Sequence, residues 1–238
     1  MNTIMINCSQ AIERYFQGDT KGAEAILWQI IETHPHEIEP RLHLANLYFS
    51  LDRPNEVITL LEPVIYPPNN IPEIDKLFFH ACYISGSTQK ALPVFKRLSG
   101  LPDLDANLCQ RLIDYALLTR EAHKARHLAR RFGFYSRQKE ITWACRLTRI
   151  LNTLPTQIWQ NPIKNQCWKW FHNYRRRKSW VLGMAAWLAD PSHTDWAYFM
   201  ACHHRRFFDI YNPKWETSRH WFQLFLAHNP SHREAKKG

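Results

Sequence analysis

The first half of the chain carries an internal repeat with a period of 34 residues, and no insertion or deletion interrupts it. One column of the repeat occupies the turn position and consists of Gly18, Asp52, Gly86 and Arg120. The remaining columns are small or apolar: Ala11, Ala45, Phe79 and Ile113; Ala23, Val57, Ala91 and Ala125; Leu27, Leu61, Phe95 and Ala129; Ile30, Val64, Leu98 and Phe132. Such a period is typical of a solenoid, in which each unit buries its apolar face by stacking on its neighbours. We therefore expect a repeat protein with an extended binding surface.

Each repeat has the pattern of two helices joined by a tight turn. Within the helices apolar residues recur at intervals of three and four, as in Val57, Leu60, Leu61 and Val64, which is the period of one helix face. Alternating strand patterns are lacking. We predict an all-α fold, a right-handed superhelical solenoid of about five to seven helix-turn-helix hairpins, with four regular units before residue 140.

These residue types resemble those of the tetratricopeptide repeat (TPR) family, whose unit is a 34-residue helix–turn–helix. The best match is residues 17–35 (QGDTKGAEAILWQIIETHP). Gly18 stands at the turn, Ala23 at the close crossing of the two helices, and Pro35 follows the second helix. The resemblance covers roughly residues 3–150. It implies a dedicated binding scaffold with a concave side lined by the first helix of each pair.

The resemblance also implies where a peptide would bind. Aligning the units on the turn column places five side chains on the concave side: Asn46, Phe49, Arg111, Asp114 and Tyr115. Some TPR proteins hold a peptide carboxylate with a Lys/Asn/Arg clamp. The matching positions here are Leu42, Asn46, Leu77, Asn107 and Arg111, so that clamp is mostly absent and a receptor for chaperone tails is not expected.

Charge and tryptophan content divide the chain at residue 139/140. Residues 1–139 are nearly neutral, whereas residues 140–238 carry 15 Lys and Arg against 6 Asp and Glu, and hold nine of the ten tryptophans. We predict four regular repeats in 1–139, followed by a basic, Trp-rich helical region. That region is either a run of degenerate repeats or a small helical domain. An excess of positive charge favours an acidic partner.

Two basic runs in the C-terminal region are interleaved with aromatic residues. The candidate partner-binding residues there are Trp168, Arg175, Arg176, Arg177, Lys178, Trp180, Arg205 and Arg206. Interleaved cations and rings suit single-stranded nucleic acid, an acidic protein surface suits the same cations, and anionic lipid headgroups are a third possibility. A solvated helix face would have the same composition, so the sequence leaves these interpretations open.

The path of the chain through this region is less regular than in the repeats. Asn161-Pro162 is expected to end one helix, and Tyr174 is expected to separate the next two. The first helix of the predicted fifth hairpin carries Trp143, Leu147 and Ile150 on one side. Trp143 also supplies the aromatic residue that is usual near the start of a TPR first helix and is missing from the four regular units.

No catalytic motif is recognisable, and we predict that the protein is not an enzyme and binds no cofactor or metal. His123 and His127 have the i, i+4 spacing of metal ligands, but no third ligand is identifiable. The six cysteines are scattered without a CxxC pair, as expected for free thiols in a reducing compartment. With no secretory signal pattern and no apolar stretch long enough to span a bilayer, we expect a cytoplasmic location.

Together these features predict a non-enzymatic scaffold, adaptor or assembly factor that binds a protein partner with an acidic surface. The alternative is a helical-repeat protein that binds nucleic acid through its basic, aromatic C-terminal region. Neither the partner nor the oligomeric state follows from the sequence.

Overall fold

The fold is built of α-helices alone within the residues that the computed structural model describes, which are 3–66, 71–190, 192–207 and 216–232. These residues form thirteen helices: α1 (Thr3–Phe16), α2 (Thr20–Thr33), α3 (Glu39–Ser50), α4 (Pro54–Ile65), α5 (Pro72–Ser85), α6 (Thr88–Leu98), α7 (Ala106–Leu118), α8 (Ala122–Arg131), α9 (Tyr135–Leu151), α10 (Thr156–His172), α11 (Arg176–Ala189), α12 (Asp195–Phe207) and α13 (Glu216–His228). The prediction of an all-α fold is confirmed.

The turn column of the repeat has one backbone conformation in all four units. Gly18, Asp52, Gly86 and Arg120 have φ values of 88°, 55°, 78° and 64°, in the left-handed region that commonly ends a helix. In each unit the next residue's N–H donates to the carbonyl five residues back. The N–H groups of Asp19, Arg53 and Ser87 donate to the carbonyls of Arg14, Tyr48 and Cys82, respectively, each at 2.9 Å. The N–H of Glu121 donates to the Ala116 carbonyl at 2.6 Å. This Schellman pattern stops the first helix of every unit at the same point.

We expect Gly18→Ala to lower the free energy of unfolding by about 1 kcal/mol, because a Cβ atom disfavours the left-handed conformation. A Cβ atom at Gly18 would meet no other atom within 4 Å, so the loss would be purely conformational. Gly18→Asn should lose less stability than Gly18→Ala, since asparagine tolerates the left-handed conformation. Urea unfolding followed by circular dichroism measures both. An alanine variant as stable as the wild type would contradict the assignment.

The apolar columns form the core of each repeat. Ala23, Val57, Ala91 and Ala125 are at most 1 % exposed, as expected for the small residues at which two helices cross closely. The columns of Ala11 and Leu27 are buried throughout as well. Only the column of Ile30 deviates, since Val64 and Phe132 are partly exposed. The 34-residue register thus corresponds to the packing of the helices.

The chain divides into two compact parts, each larger than a single repeat: Met1–Gly100, which we call the first unit, and Leu101–Gly238, which we call the second unit. In the first unit α1 to α6 pack in sequence order, with further contacts of α3 to α1 and α5. In the second unit α8 packs on α7 and α9, α11 packs along α9, α10 and α12, and α13 packs on α12. The boundary at 139/140, which rests on charge and tryptophan content, stays a prediction.

Two expected helix ends in the second unit have different outcomes. The prediction that a helix ends at Pro162 is wrong, because α10 continues through this residue. Trp159 and Cys167, two helical turns apart, are both buried, so their packing holds α10 together although proline removes one backbone donor. The separation at Tyr174 is confirmed, since this residue has a φ of 54° between α10 and α11.

Candidate partner-binding groove

The predicted concave residues of the first unit are accessible. Asn46 is exposed and lines a cavity of about 210 Å³ together with Tyr15 and His43. Phe49 is half-buried, and its ring stacks on that of His80 with centroids 4.9 Å apart. Asn46 therefore stays a candidate for contact with a ligand, while Phe49 offers only part of its ring.

Two of the three predicted concave residues in the second unit are buried, which corrects their assignment to a surface. Tyr115 is 1 % exposed. An Asp114 carboxylate oxygen accepts from Arg137 Nη2 at 3.0 Å and the other accepts from Gln110 Nε2 at 3.1 Å. Arg111 is half-buried. Because α9 places Arg137 against α7, Asp114 serves as an internal ion-pair partner.

The two tryptophans among the candidate partner-binding residues pack inside the second unit. Trp180 is 1 % exposed, and the Arg137 guanidinium lies 4.1 Å from its ring centroid. Trp168 is half-buried and meets Phe171 and Phe199 edge to face, with centroids 5.2 and 5.1 Å apart. Trp180 is therefore not accessible to a partner, as an anchoring role would require, and Trp168 contributes mainly to the aromatic core.

The basic run Arg175–Lys178 is exposed along its whole length. Arg175 is the N-cap residue of α11, and the next three cations occupy its first turn. The positive end of a helix dipole lies at its N-terminus, so these side chains gain nothing from their own helix. They create a concentrated positive potential that an acidic ligand would relieve.

A buried histidine holds this turn in place. His203 Nε2 lies 3.0 Å from the Arg176 carbonyl oxygen and 3.0 Å from Ser179 Oγ. Burial lowers the pKa of His203 to about 3, because desolvation disfavours the imidazolium form. The ring is therefore neutral at neutral pH and adds no charge to the patch.

The second basic cluster divides into one exposed and one packed cation. Arg205 is exposed. Arg206 lies over aromatic rings, with its guanidinium carbon 4.6 Å from the Phe171 centroid and 4.3 Å from the Tyr174 centroid. Part of the predicted interleaving of cations and rings is therefore internal packing.

The second unit contains an open apolar groove, which we name the Trp143 groove. Its volume is about 620 Å³. The lining residues come from α9, the last turn of α10 and the first half of α11: Ser136, Lys139, Glu140, Trp143, Leu147, Trp170, Arg177, Lys178, Val181 and Leu182. Trp143 is 57 % exposed. Here the exposed ring adjoins the aliphatic side chains of Leu147, Val181 and Leu182, and a contiguous apolar patch of this kind is a candidate interaction site.

The groove is apolar at its centre and positive at its edges. Lys139, Arg177 and Lys178 are exposed cations along its rim. Glu140 is the single acidic residue among the lining residues, and it is already engaged. Its carboxylate lies 3.6 Å from Arg137 and 3.5 Å from Arg177. The net potential at the groove is therefore positive.

Sequence reasoning found parts of this groove without connecting them. Trp143, Leu147 and Ile150 were placed on one side of a helix, and that grouping is right. The core-facing side of α9 consists of other residues, however, since Ile141 and Ala144 are fully buried. Two apolar faces on one helix are the signal that an additional surface is present.

Other kinds of site receive no support in the described part of the chain. Among those residues no three His, Cys, Asp or Glu side chains converge as they would around a metal ion. His123 and His127 are both exposed. All six cysteines are free thiols. No described helix combines the length and the apolar character that crossing a membrane requires.

No protein-family model matches this sequence, and no curated protein is significantly similar to it.

Proposed function

We propose that this chain is a non-enzymatic, TPR-like helical-repeat scaffold that binds a protein partner with an acidic surface. The Trp143 groove is the observation that carries the proposal. It combines an exposed aromatic ring with aliphatic side chains and a rim of exposed cations. Interface hot spots are enriched in such aromatic and arginine side chains, and a positive rim steers an acidic partner to its site.

The repeat architecture supports the same function. Helical hairpins that stack on their neighbours create extended surfaces without a catalytic centre. The accessible Asn46 cavity of the first unit is a second place where such a scaffold could contact a ligand. In this proposal the regular repeats supply the framework, and helices α9 to α11 of the second unit supply the main docking surface.

The test is a variant in which the exposed run is neutralised: Arg175→Gln, Arg176→Gln, Arg177→Gln and Lys178→Gln. We first identify stoichiometric partners by affinity capture from native lysate, with and without nuclease, and then measure affinity at two salt concentrations. We expect about a tenfold loss at low salt, as for four exposed ion pairs of a few tenths of a kcal/mol each. The salt dependence should flatten, because screening acts on these charges.

A matched control removes the same number of charges from another exposed face of the second unit. It replaces the four cations of α8 by glutamine: Lys124, Arg126, Arg130 and Arg131. This variant should keep most of its affinity, and both variants should keep the wild-type helical signal. Equal losses in the two variants would mean that net charge alone matters and that the groove has no special role.

A nucleic-acid partner predicts the same loss, so homopolymer competition must separate the two functions. If single-stranded DNA and RNA both compete at micromolar concentration and no protein partner survives nuclease treatment, the scaffold proposal fails. The basic region would then be a nucleic-acid surface. Recovery of a nuclease-resistant, stoichiometric protein supports the scaffold.

A further inference from the structure

Helix α9 presents an apolar stripe that the second unit leaves open. Trp143, Leu147 and Ile150 follow each other at intervals of four and three, which places them on one face of the helix. Trp143 and Ile150 are each 57 % exposed, and Leu154, just beyond the end of α9, is 43 % exposed. From Trp143 to Ile150 the stripe runs roughly 10 Å along α9 at 1.5 Å per residue, and its first two residues line the Trp143 groove.

Exposed cations border this stripe on both sides. On α9, Lys139 and Arg146 lie beside it, and the Arg146 guanidinium carbon is 5.1 Å from the Trp143 ring centroid. On α11, Arg177 and Lys178 line the opposite rim. A ligand that covers the stripe would therefore place its own flanking positions next to positive charge, and acidic residues at those positions are complementary.

The lining of the groove favours a helical ligand over an extended one. The groove is formed by three helices, whose backbone groups are already paired, and its centre consists of the side chains of Trp143, Leu147, Trp170, Val181 and Leu182. An extended segment would bury N–H and C=O groups there without partners, at a cost of about 1–3 kcal/mol each in proteins. A helix satisfies these groups internally and presents only side chains.

We propose that the Trp143 groove binds an amphipathic helix of a partner protein, with apolar side chains at i, i+3 or i+4, and i+7 and with Asp or Glu on the flanks of that face. The inference rests on the proposed scaffold function and specifies the ligand of its groove. The apolar side chains pack on Trp143, Leu147 and Ile150. The acidic flanks pair with Lys139 and Arg146 on one side and with α11 on the other.

Charge also argues against a second copy of this chain in the groove. In a two-fold interface the same patch meets itself, so the cations around Trp143 would face identical cations. Such like-charge juxtaposition is unfavourable when it is desolvated. A helix with acidic flanks removes this repulsion, and we therefore assign the groove to a partner of opposite charge.

The test selects ligands from a displayed library of random peptides of about 12–15 residues, a length at which an isolated helix is marginal in water. The full chain is the bait, and peptides that also bind the Trp143→Ala variant are removed. Tyr135→Ala is the matched control, because Tyr135 is an exposed aromatic residue on α9 that does not line the groove. Enriched peptides are synthesised, and their affinity and circular dichroism are measured with each variant.

We expect enriched peptides to place apolar residues at intervals of three and four with acidic residues beside them, and to gain helical signal on binding. Trp143→Ala should weaken them by about 30-fold, the loss typical of a hot spot, whereas Tyr135→Ala should leave affinity unchanged. Enriched sequences with central proline or alternating apolar residues would overturn the helical ligand, even if the scaffold still captured its acidic partner. The absence of any peptide that distinguishes Trp143→Ala would overturn the groove as a peptide site.

An anionic lipid surface could also supply negative charge to the stripe, so a second experiment distinguishes it from a helical peptide. Vesicles that contain phosphatidylserine are mixed with the wild type, Trp143→Ala and Tyr135→Ala, and co-sedimentation is measured. We expect no difference among the three proteins. Vesicle binding that is lost only in Trp143→Ala would assign the stripe to a membrane surface and overturn the proposal.

Discussion

Arg137→Ala is expected to lower the free energy of unfolding by about 3–5 kcal/mol, because it leaves the carboxylate of Asp114 buried without its cation. The two side chains are 9 % and 8 % exposed, with Nη2 3.0 Å from Oδ1. Arg137 also lies over the ring of Trp180 and near Glu140, so the variant removes contacts among α7, α9 and α11. Urea unfolding followed by circular dichroism measures the loss.

Two further variants separate the buried charge from the loss of packing. The double variant Arg137→Met with Asp114→Leu removes both charges and keeps apolar volume, so it should recover much of the loss. Lys90→Ala is the surface control, because Lys90 and Glu62 form a largely exposed pair at 2.8 Å, and its unfolding midpoint should stay at the wild-type value. If Arg137→Ala behaved like Lys90→Ala, the pair would not be buried in solution.

Trp180→Ala is expected to lower the free energy of unfolding by about 3–5 kcal/mol, the range for replacing a buried tryptophan by alanine. The side chain projects from α11, is almost completely buried and lies under the Arg137 guanidinium, and the surroundings fill only part of the space that it leaves. Trp180→Phe should lose less, because it keeps an aromatic ring in the core. Thermal or urea unfolding of the purified chain measures both variants.

Trp143→Ala is the matched control for Trp180→Ala, since it removes the same side chain from an exposed position. We expect its unfolding midpoint to remain close to that of the wild type, while the affinity for the selected peptides falls about 30-fold. The two variants should therefore differ: Trp143→Ala weakens binding at unchanged stability, whereas Trp180→Ala lowers stability. Equal destabilisation by both would show that Trp143 is packed rather than open.

The regular repeats were predictable because local chemistry determines them. A left-handed residue must end each first helix, and Gly18 and Gly86 adopt this conformation without a Cβ penalty. Asp52 and Arg120 are poorer residues for the same conformation, yet the 34-residue spacing identified them correctly. The small residues at the helix crossings, such as Ala23 and Ala91, are recognisable for the same reason, since close approach of two helices excludes larger side chains.

The site was only partly predictable. The exposed run of cations at Arg175–Lys178 was recognisable, because four consecutive charges cannot all be buried at once. The sequence did not distinguish Trp143, which is open, from Trp180, which is buried, because both are tryptophans in amphipathic helices. Asp114 was also misplaced, since its partner Arg137 is 23 residues away in the chain and no local pattern connects them.

The amino-acid sequence by itself determined the helical class, the 34-residue register, the turn residues of the four units and the positive charge of the C-terminal region. All of these depend on short-range backbone preferences or on composition. The tertiary structure alone decided which face of α9 became core. Both Ile141 and Trp143 lie on apolar faces of that helix, and with α8 and α11 packed against α9 the first is buried and the second is exposed.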